Sequence, residues 1–120
     1  MAFTAAAKAT MIDAVMQGTI YVSLHSGDPS TTGANELSGN GYARQLVEFT
    51  AADGSGNSVN TNVETFGPSS GADWTQATYF GLWSAVTGGT FKGGFALTTP
   101  RTITATVRGE FAAGALVAHV

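Results

Sequence analysis

The hydrophobic pattern of the chain changes its period at Gly18. Before that residue, apolar side chains recur three and four positions apart, at Ala7, Met11, Ile12, Val15 and Met16. This spacing places them on one face of a helix, and the alanines of the same segment favour helix formation. The pattern therefore predicts a helix over about 4–17, capped by Thr4 and ended at Gly18. Its apolar face would pack on the sheet of its own chain or dock on a neighbouring subunit.

After Gly18, runs of β-branched and aromatic residues alternate with clusters of Gly, Pro, Asn and Ser. Runs of this kind predict short strands separated by turns. The predicted strands cover residues 19–26, 42–50, 63–67, 74–85, 91–99, 102–110 and 115–120. Residues 53–62 are predicted to form a turn cluster, and Pro100 is expected to end the 91–99 strand.

One helix followed by several short strands predicts a mainly β fold. We expect an antiparallel β-sandwich, jelly-roll-like, with one N-terminal α-helix. The length of 120 residues corresponds to a single domain, 1–120, with the helix at about 4–17 and the sandwich at about 19–120.

Four aromatic residues cluster in the predicted 74–85 strand: Trp74, Tyr79, Phe80 and Trp83. Because alternate residues of a strand point to opposite faces, Tyr79 and Trp83 share one face, and Phe80 lies on the other. One face is expected to fill the core. The other is either buried as well or meets a protein partner, since Tyr and Trp are enriched at interfaces.

A long connection joins the first two predicted strands, within the sequence LHSGDPSTTGANELSGNGYARQ at 24–45. Connections of about 15 residues without regular structure are uncommon in compact domains and often carry function. Asp28, Asn35 and Glu36 offer oxygen ligands suited to calcium, but Asp and Asn are also common turn formers, which is the interpretation we favour. Contact with another protein suits this bent segment of low charge better than catalysis.

Catalytic arrangements are poorly supported by the sequence. Ser26, His25 and Asp28 are the candidates for a Ser–His–Asp triad, but neighbouring strand residues face opposite ways, so the Ser26 and His25 side chains would not meet. Asp28 and Glu36 are the only carboxylates that the loop could bring together as a glycosidase pair. His119, near the end of the last predicted strand, is expected on the strand surface. We therefore expect no enzyme activity, no catalytic residues, no metal site and no cofactor.

The composition favours a protein that is covered by neighbours. Charged residues make up 11% of the chain, against about 25% in a typical domain. The surface must then carry Ser, Thr, Asn, Gly and Ala, which are less costly to desolvate than Lys or Glu. A secreted β domain would share this composition.

Charge and cysteine content exclude several function classes. The net charge is −3 and the five basic residues are scattered, which argues against a nucleic-acid partner. Cysteine is absent, so disulfides and thiolate metal sites are excluded. No apolar run is long enough to cross a membrane and no signal-peptide pattern is present, so we expect no membrane partner and retention in the producing cell until lysis or assembly.

Three long stretches of the chain resemble a family of small tailed-phage virion structural proteins. They are VSLHSGDPSTTGANELSGNGYARQLV, WTQATYFGLWSAVTGGTFKGGFAL and the closing GEFAAGALVAHV. In that family an LHxGDPGxxGxNELSGxGYAR stretch follows an N-terminal helix and precedes an FGLW segment. This chain departs from the pattern at Ser30, where Gly is frequent, and at 110–113, where a polar turn with Pro is frequent.

The resemblance implies a virion component without catalytic residues, since members are described as head decoration, minor tail or tail fibre proteins. We expect a capsid decoration or cement protein that binds over junctions of the major capsid protein, assembled in the host cytoplasm and placed on the capsid surface. The alternative is a tail or tail-fibre component that contacts the host surface. Self-association as a homotrimer is expected, because closed symmetry is the norm. The expected interface residues are Asp28, Pro29, Asn35, Glu36, Tyr42, Arg44, Tyr79 and Trp83.

Overall fold

A single helix precedes eight strands in the computed structural model, which describes residues 3–119. Helix α1 covers Ala5–Val15. The strands are β1 Ile20–His25, β2 Gln45–Val47, β3 Asn57–Val59, β4 Glu64–Phe66, β5 Ala77–Trp83, β6 Phe91–Arg101, β7 Gly109–Phe111 and β8 Val117–His119. The predicted mainly β class with one N-terminal helix is thereby confirmed.

The strands form one four-stranded sheet and two short ladders, all with antiparallel pairing. The large sheet has the order β2-β1-β5-β6, and β3 pairs with β8 while β4 pairs with β7. This arrangement is compatible with a jelly-roll-like sandwich.

The hydrophobic core lies against one face of the large sheet. In β1 and β5, Val22, Leu24, Phe80 and Leu82 all point to this face and have no exposed surface. The opposing side is filled by residues of the two ladders and of the last segment, chiefly Phe66, Phe111, Leu116 and Ala118. The predicted division of faces in the 74–85 segment is confirmed, since Phe80 fills the core.

Helix α1 is anchored on its own chain. The Thr4 side chain accepts a hydrogen bond from the amide of Ala7 at 3.1 Å, as predicted for the cap, and Gly18 has a positive φ of 75°. Ile12 is buried in the core, and Met16 packs against it. Lys92 of β6 donates from Nζ to the carbonyl of Gln17 at 2.8 Å, beside the carboxyl end of the helix, where a cation is favoured.

Strand β6 continues past the predicted stop at Pro100. The register pairs Tyr79 with Ala96 and Ala77 with Arg101, so residues 97–100 bulge out with no partner on β5. Proline removes a ladder donor, and in a bulge no ladder bond is lost. The expectation that Pro100 ends the strand was therefore wrong.

The predicted 102–110 strand was also wrong for most of its length, since only β7 at its end is a strand. Ile103 is buried whereas Val107 is 54% exposed, so the alternation does not mark one buried face. Thr106 has a positive φ of 66°, which interrupts any extended run. Within the predicted 53–62 turn cluster, residues 57–59 instead form β3, and the 42–50 strand is reduced to β2.

The remaining strand predictions agree with the structure to within a few residues. The last predicted strand, 115–120, corresponds to β8, and Val120 lies outside the described residues, as do residues 1 and 2 of the predicted domain. His119 lies exposed on β8, as expected. Within residues 3–119, no helix has the length and apolar character that a membrane crossing requires.

Candidate interface around the 26–44 segment

The second face of the large sheet, opposite the core, is covered by the chain itself. This outer face carries Tyr21, Ser23, His25, Tyr79 and Trp83. Residues 26–44, the covering loop, fold back across it. The amide of Leu37 donates to the carbonyl of Leu24 at 2.9 Å and the amide of Ser26 to the carbonyl of Asn35 at 2.9 Å, so the first half of the loop closes on itself beside β1.

Asp28 and Asn35 shape the exposed turn of the covering loop. The Asp28 carboxylate accepts a hydrogen bond from the amide of Ser30 at 2.8 Å. The Asn35 side chain donates to the carbonyl of Asp28 at 3.1 Å, and Asn35 has a positive φ of 65°. These are the contacts of residues that form turns. Both side chains remain exposed and reachable by a partner.

Pro29 and Gly33 bring the covering loop into direct contact with the outer face. The Pro29 side chain is buried against Gly94 of β6, where an added Cβ would lie 2.2 Å from the proline ring. A Cβ on Gly33 would lie 2.5 Å from the Trp83 ring. Pro29, one of the expected interface residues, is thus buried within its own chain.

Glu36, Tyr42 and Arg44 form a half-buried hydrogen-bonded cluster beside β1, with the Tyr42 ring packed against the core residues Phe66 and Trp74. Arg44 binds the Glu36 carboxylate through two nitrogens, Nε and Nη2, each at 2.9 Å, and the Tyr42 hydroxyl donates to the same carboxylate at 2.8 Å. Burial would raise the pKa of the Glu36 carboxyl, but the hydrogen bonds from Arg44 and Tyr42 outweigh it and lower that pKa. Burial raises the pKa of the Tyr42 hydroxyl well above its usual value, so this group stays protonated.

Arg44 also joins the covering loop to the turn between β5 and β6. Its Nη1 donates to the carbonyls of Ala85 at 3.1 Å and Gly88 at 2.8 Å. Its guanidinium carbon lies 3.7 Å from the centre of the Trp83 ring, a cation–π arrangement. Arg44 therefore holds three segments together, and Lys could not reproduce its planar set of donors.

A buried chain of hydrogen bonds continues from Trp83 beneath the loop. His25 Nδ1 lies 2.7 Å from the carbonyl of Ala34, which can only accept, so Nδ1 carries the proton. In the neutral ring, Nε2 then accepts from the Ser23 hydroxyl at 2.7 Å, and the Ser23 oxygen accepts from Trp83 Nε1 at 3.0 Å. Burial lowers the pKa of His25, which keeps the ring neutral.

Ser23 Oγ and His25 Nε2 are as close as the atoms of a catalytic dyad, but a substrate cannot reach them. Neither side chain has any exposed surface, and a Cβ on Gly81 would lie within 2.7 Å of both. A substrate could not reach the Ser23 hydroxyl without displacing the covering loop. The pair therefore positions the loop on the sheet.

The candidate triad of the sequence does not form, because Ser26 is exposed and turns toward Asn35 rather than toward His25. Sequence reasoning missed Ser23. Its spacing of two residues from His25 on one strand is the signal that would have placed both on one face.

Among residues 3–119, no group of three or more His, Asp or Glu side chains could hold a metal ion. Asp53 of the DGSGN stretch accepts hydrogen bonds from the amides of Ser55 and Asn57, which lower its carboxyl pKa. Its carboxylate caps a turn.

A shallow pocket of ≈ 270 Å³ opens beside the cluster, at the junction of the covering loop and the β5–β6 turn. Val86 at its rim is 49% exposed. Three of the polar side chains that line it, Glu36, Tyr42 and Arg44, are already bonded to one another, whereas Ser38 and Thr87 also line it with their hydroxyls. Tyr42, Arg44, Glu36 and Trp83 of the expected interface meet here, and Tyr79 lies half-buried on the same face, opposite His25.

Comparison with known protein families shows to which family the chain belongs. The family described as Podophage GP4 fiber I protein gp80 matches residues 2–119. The chain belongs to this podophage fibre protein family. It is accordingly a phage virion structural protein, as the resemblance implied, and the fibre description fits the tail-fibre alternative better than capsid decoration. No curated protein matches the chain.

Proposed function

We propose that the protein is a tail or tail-fibre component of the virion that contacts the host surface. The observation that carries this proposal is the match of the podophage fibre family across residues 2–119. A structural fibre role also favours binding over catalysis, in keeping with the buried state of the Ser23–His25 pair.

The geometry supports a contact surface at the junction of the covering loop and the 84–90 turn. The bonds of Arg44 to Glu36 and to the carbonyls of Ala85 and Gly88 fix the backbone there. The Glu36 and Arg44 side chains are only 21% and 10% exposed. Binding to a rigid surface costs less conformational entropy than binding to a mobile loop. Val86, Asp28 and Asn35 remain exposed around it and form the candidate contacts.

Capsid decoration over junctions of the major capsid protein is the second candidate, favoured by the charged fraction of 11%. A surface of small polar residues is readily desolvated between subunits. In either role we propose self-association as a homotrimer, which light scattering of the purified protein and cross-linking of particles would test; monomer in both would contradict it.

Copy number and position in the particle distinguish the two roles. Quantitative mass spectrometry of purified virions, with gold-labelled antibody in electron microscopy, should find a handful of copies at the tail or its fibres. Purified protein should also reduce phage adsorption to host cells. Hundreds of copies spread over the capsid would contradict the fibre role and support decoration.

A further inference from the structure

A second pocket lies between β6 and the β7–β8 connection. This β6 pocket measures ≈ 270 Å³ and is lined by Leu97, Thr98, Thr99, Arg101, Phe111, Gly114 and Ala115. It shares no residue with the pocket at the 84–90 turn. None of its residues takes part in the cluster around Arg44.

The bulge in β6 creates this pocket. Residues 97–100 have no partner on β5, so the chain leaves the regular ladder where it borders the pocket. Bulges re-aim side chains and are frequent beside binding sites. Here the bulge buries Leu97 and leaves Thr98 and Thr99 exposed.

Arg101 is the one charged residue lining the β6 pocket, and its side chain takes part in no ion pair within residues 3–119. The ion pair found there joins Arg44 and Glu36, and Arg101 forms none. Its guanidinium lies 4.8 Å above the Phe111 ring, and one nitrogen, Nη1, donates to the carbonyl of Glu110. Within the described chain, Nε and Nη2 have no hydrogen-bond acceptor.

A guanidinium fixed in this way, with donors to spare, is suited to a carboxylate, which can accept two parallel hydrogen bonds. The hydroxyls of Thr98 and Thr99 have no hydrogen-bond partner within residues 3–119 and can bond to ligand hydroxyls. Leu97 and Ala115 form an apolar floor, while the Phe111 ring, 3% exposed, lies beneath the guanidinium. The pocket thus combines a carboxylate donor, hydroxyl partners and an apolar surface.

We propose that the β6 pocket binds one carboxylated sugar residue, a hexuronic acid, with the carboxylate on Arg101, ring hydroxyls on Thr98 and Thr99, and the C–H face of the ring on the apolar floor. The volume lies just below that of pockets for drug-sized ligands, about 300–1,000 Å³, so it fits a single ring rather than an extended glycan. The inference rests on the proposed fibre role for the source of the sugar, an acidic glycan of the host surface.

Titration of the ¹⁵N-labelled protein with D-glucuronate, followed by amide chemical shifts, tests the proposal. Shifts should map to the amides of residues 97–99, 101 and 111–115. D-glucose and acetate should each bind at least tenfold more weakly, because each lacks one half of the ligand. Arg101→Gln should weaken glucuronate binding at least tenfold, and Arg101→Lys should weaken it less. Arg108→Gln, which removes an exposed arginine outside the pocket, should leave binding unchanged.

If Arg101→Gln disturbs the fold through Phe111, the double variant Thr98→Val, Thr99→Val keeps the strand and removes both hydroxyls, and it too should weaken binding. Equal shifts with glucose, tighter binding of glucose 6-phosphate, or unchanged affinity in the folded variants would overturn the proposal. Adsorption that purified protein blocks while glucuronate fails to bind would overturn the sugar site and leave the fibre role standing. Glucuronate binding by a protein found only on capsids would reject the fibre role and keep the site.

Discussion

At the scale of single residues, two buried titratable groups act on stability in opposite directions. His25 is buried and neutral, bonded to Ser23 and Ala34. Glu64 on β4 is buried, and desolvation raises the pKa of its carboxyl to about 7. Both groups change the free energy of unfolding between pH 4.5 and 7. A variant that lacks one titratable group is therefore needed to measure the contribution of the other.

Glu64→Gln should stabilise the protein at neutral pH. Because the folded-state pKa is raised from 4.5 to about 7, the native state holds the proton more tightly, and the free energy of unfolding of the wild type falls as pH rises through this range. The variant should gain up to about 3 kcal/mol relative to the wild type by pH 8. Urea unfolding at pH 4.5 and pH 8 measures it, and a constant difference between the proteins would contradict the expectation.

In the Glu64→Gln background, stability should fall as the solution is acidified below the ordinary His pKa of 6.5. The pKa of His25 is lowered by burial, so the unfolded chain binds a proton at a pH where the native ring stays neutral. The raising effects of Ala34 and Glu36 on this pKa are smaller, and Arg44 lowers it further. The added substitution His119→Gln, at an exposed histidine, should leave the slope intact; a slope that disappears with His119 would refute the role of His25.

Ser23→Ala should destabilise the protein by about 1–3 kcal/mol, the typical cost of leaving buried polar groups unpaired. The substitution removes the partner of both Trp83 Nε1 and His25 Nε2. Ser26→Ala is the matched control, since Ser26 is exposed and should change the free energy of unfolding by less than about 0.5 kcal/mol. Equal effects of the two substitutions in urea unfolding would show that the chain of bonds contributes nothing.

At the scale of elements, the covering loop behaves as a third layer on the large sheet. Its backbone approaches the sheet at Gly33, and its side chains Pro29 and Arg44 contact β6 and β5. The outer face thereby loses most of its exposure to solvent without a further strand or helix.

Two glycines of the covering loop have the same φ of 78° but different surroundings. An added Cβ would lie 2.5 Å from the Trp83 ring at Gly33 and would meet nothing within 4 Å at Gly39. Gly39→Ala should therefore cost about 1–2 kcal/mol from backbone strain, and Gly33→Ala should cost clearly more. Thermal and urea unfolding of both variants test this, and equal losses would mean that the loop does not pack on Trp83.

The sequence was sufficient to predict the helix, most strands and the faces of β5, because these follow from local hydrophobic period. It predicted wrongly at Pro100 and at 102–110, where a bulge and the positive φ of Thr106 depend on contacts distant in the chain. The candidate interface was predicted as a group of residues, but not their mutual bonds. Glu36 and Arg44 are eight positions apart, and no local pattern shows that they bond to each other or that Arg44 lies over Trp83.

At the scale of the whole molecule, the charged fraction of 11% and the hydrogen bonds that hold the covering loop in place agree with the proposed contact role. Exposed apolar side chains in the described chain include Val86, which lines the pocket at the proposed contact surface, and Val107, which does not, at 49% and 54% exposure. Single exposed apolar residues are ordinary on protein surfaces. Substitutions at these two valines therefore test whether the location of an exposed apolar side chain matters, since the residue type is the same and the exposure is similar.

Val86→Asp should reduce inhibition of phage adsorption by the purified protein at least about tenfold, since a desolvated charge at an interface costs several kcal/mol. Val107→Asp, with similar exposure, should leave inhibition unchanged, and both variants should keep the unfolding free energy within about 0.5 kcal/mol. Equal loss in both, or none in either, would remove the 84–90 turn from the contact surface.

The two bonds from Arg44 to the carbonyls of Ala85 and Gly88 hold the main chain of the 84–90 turn without using the side chains of Val86 and Thr87. Under the proposed host-contact role, substitutions at positions 86 and 87 would change the surface offered to a bacterial receptor while the main chain of the turn keeps its shape. A phage lineage could then adapt to a changing receptor through single codon changes.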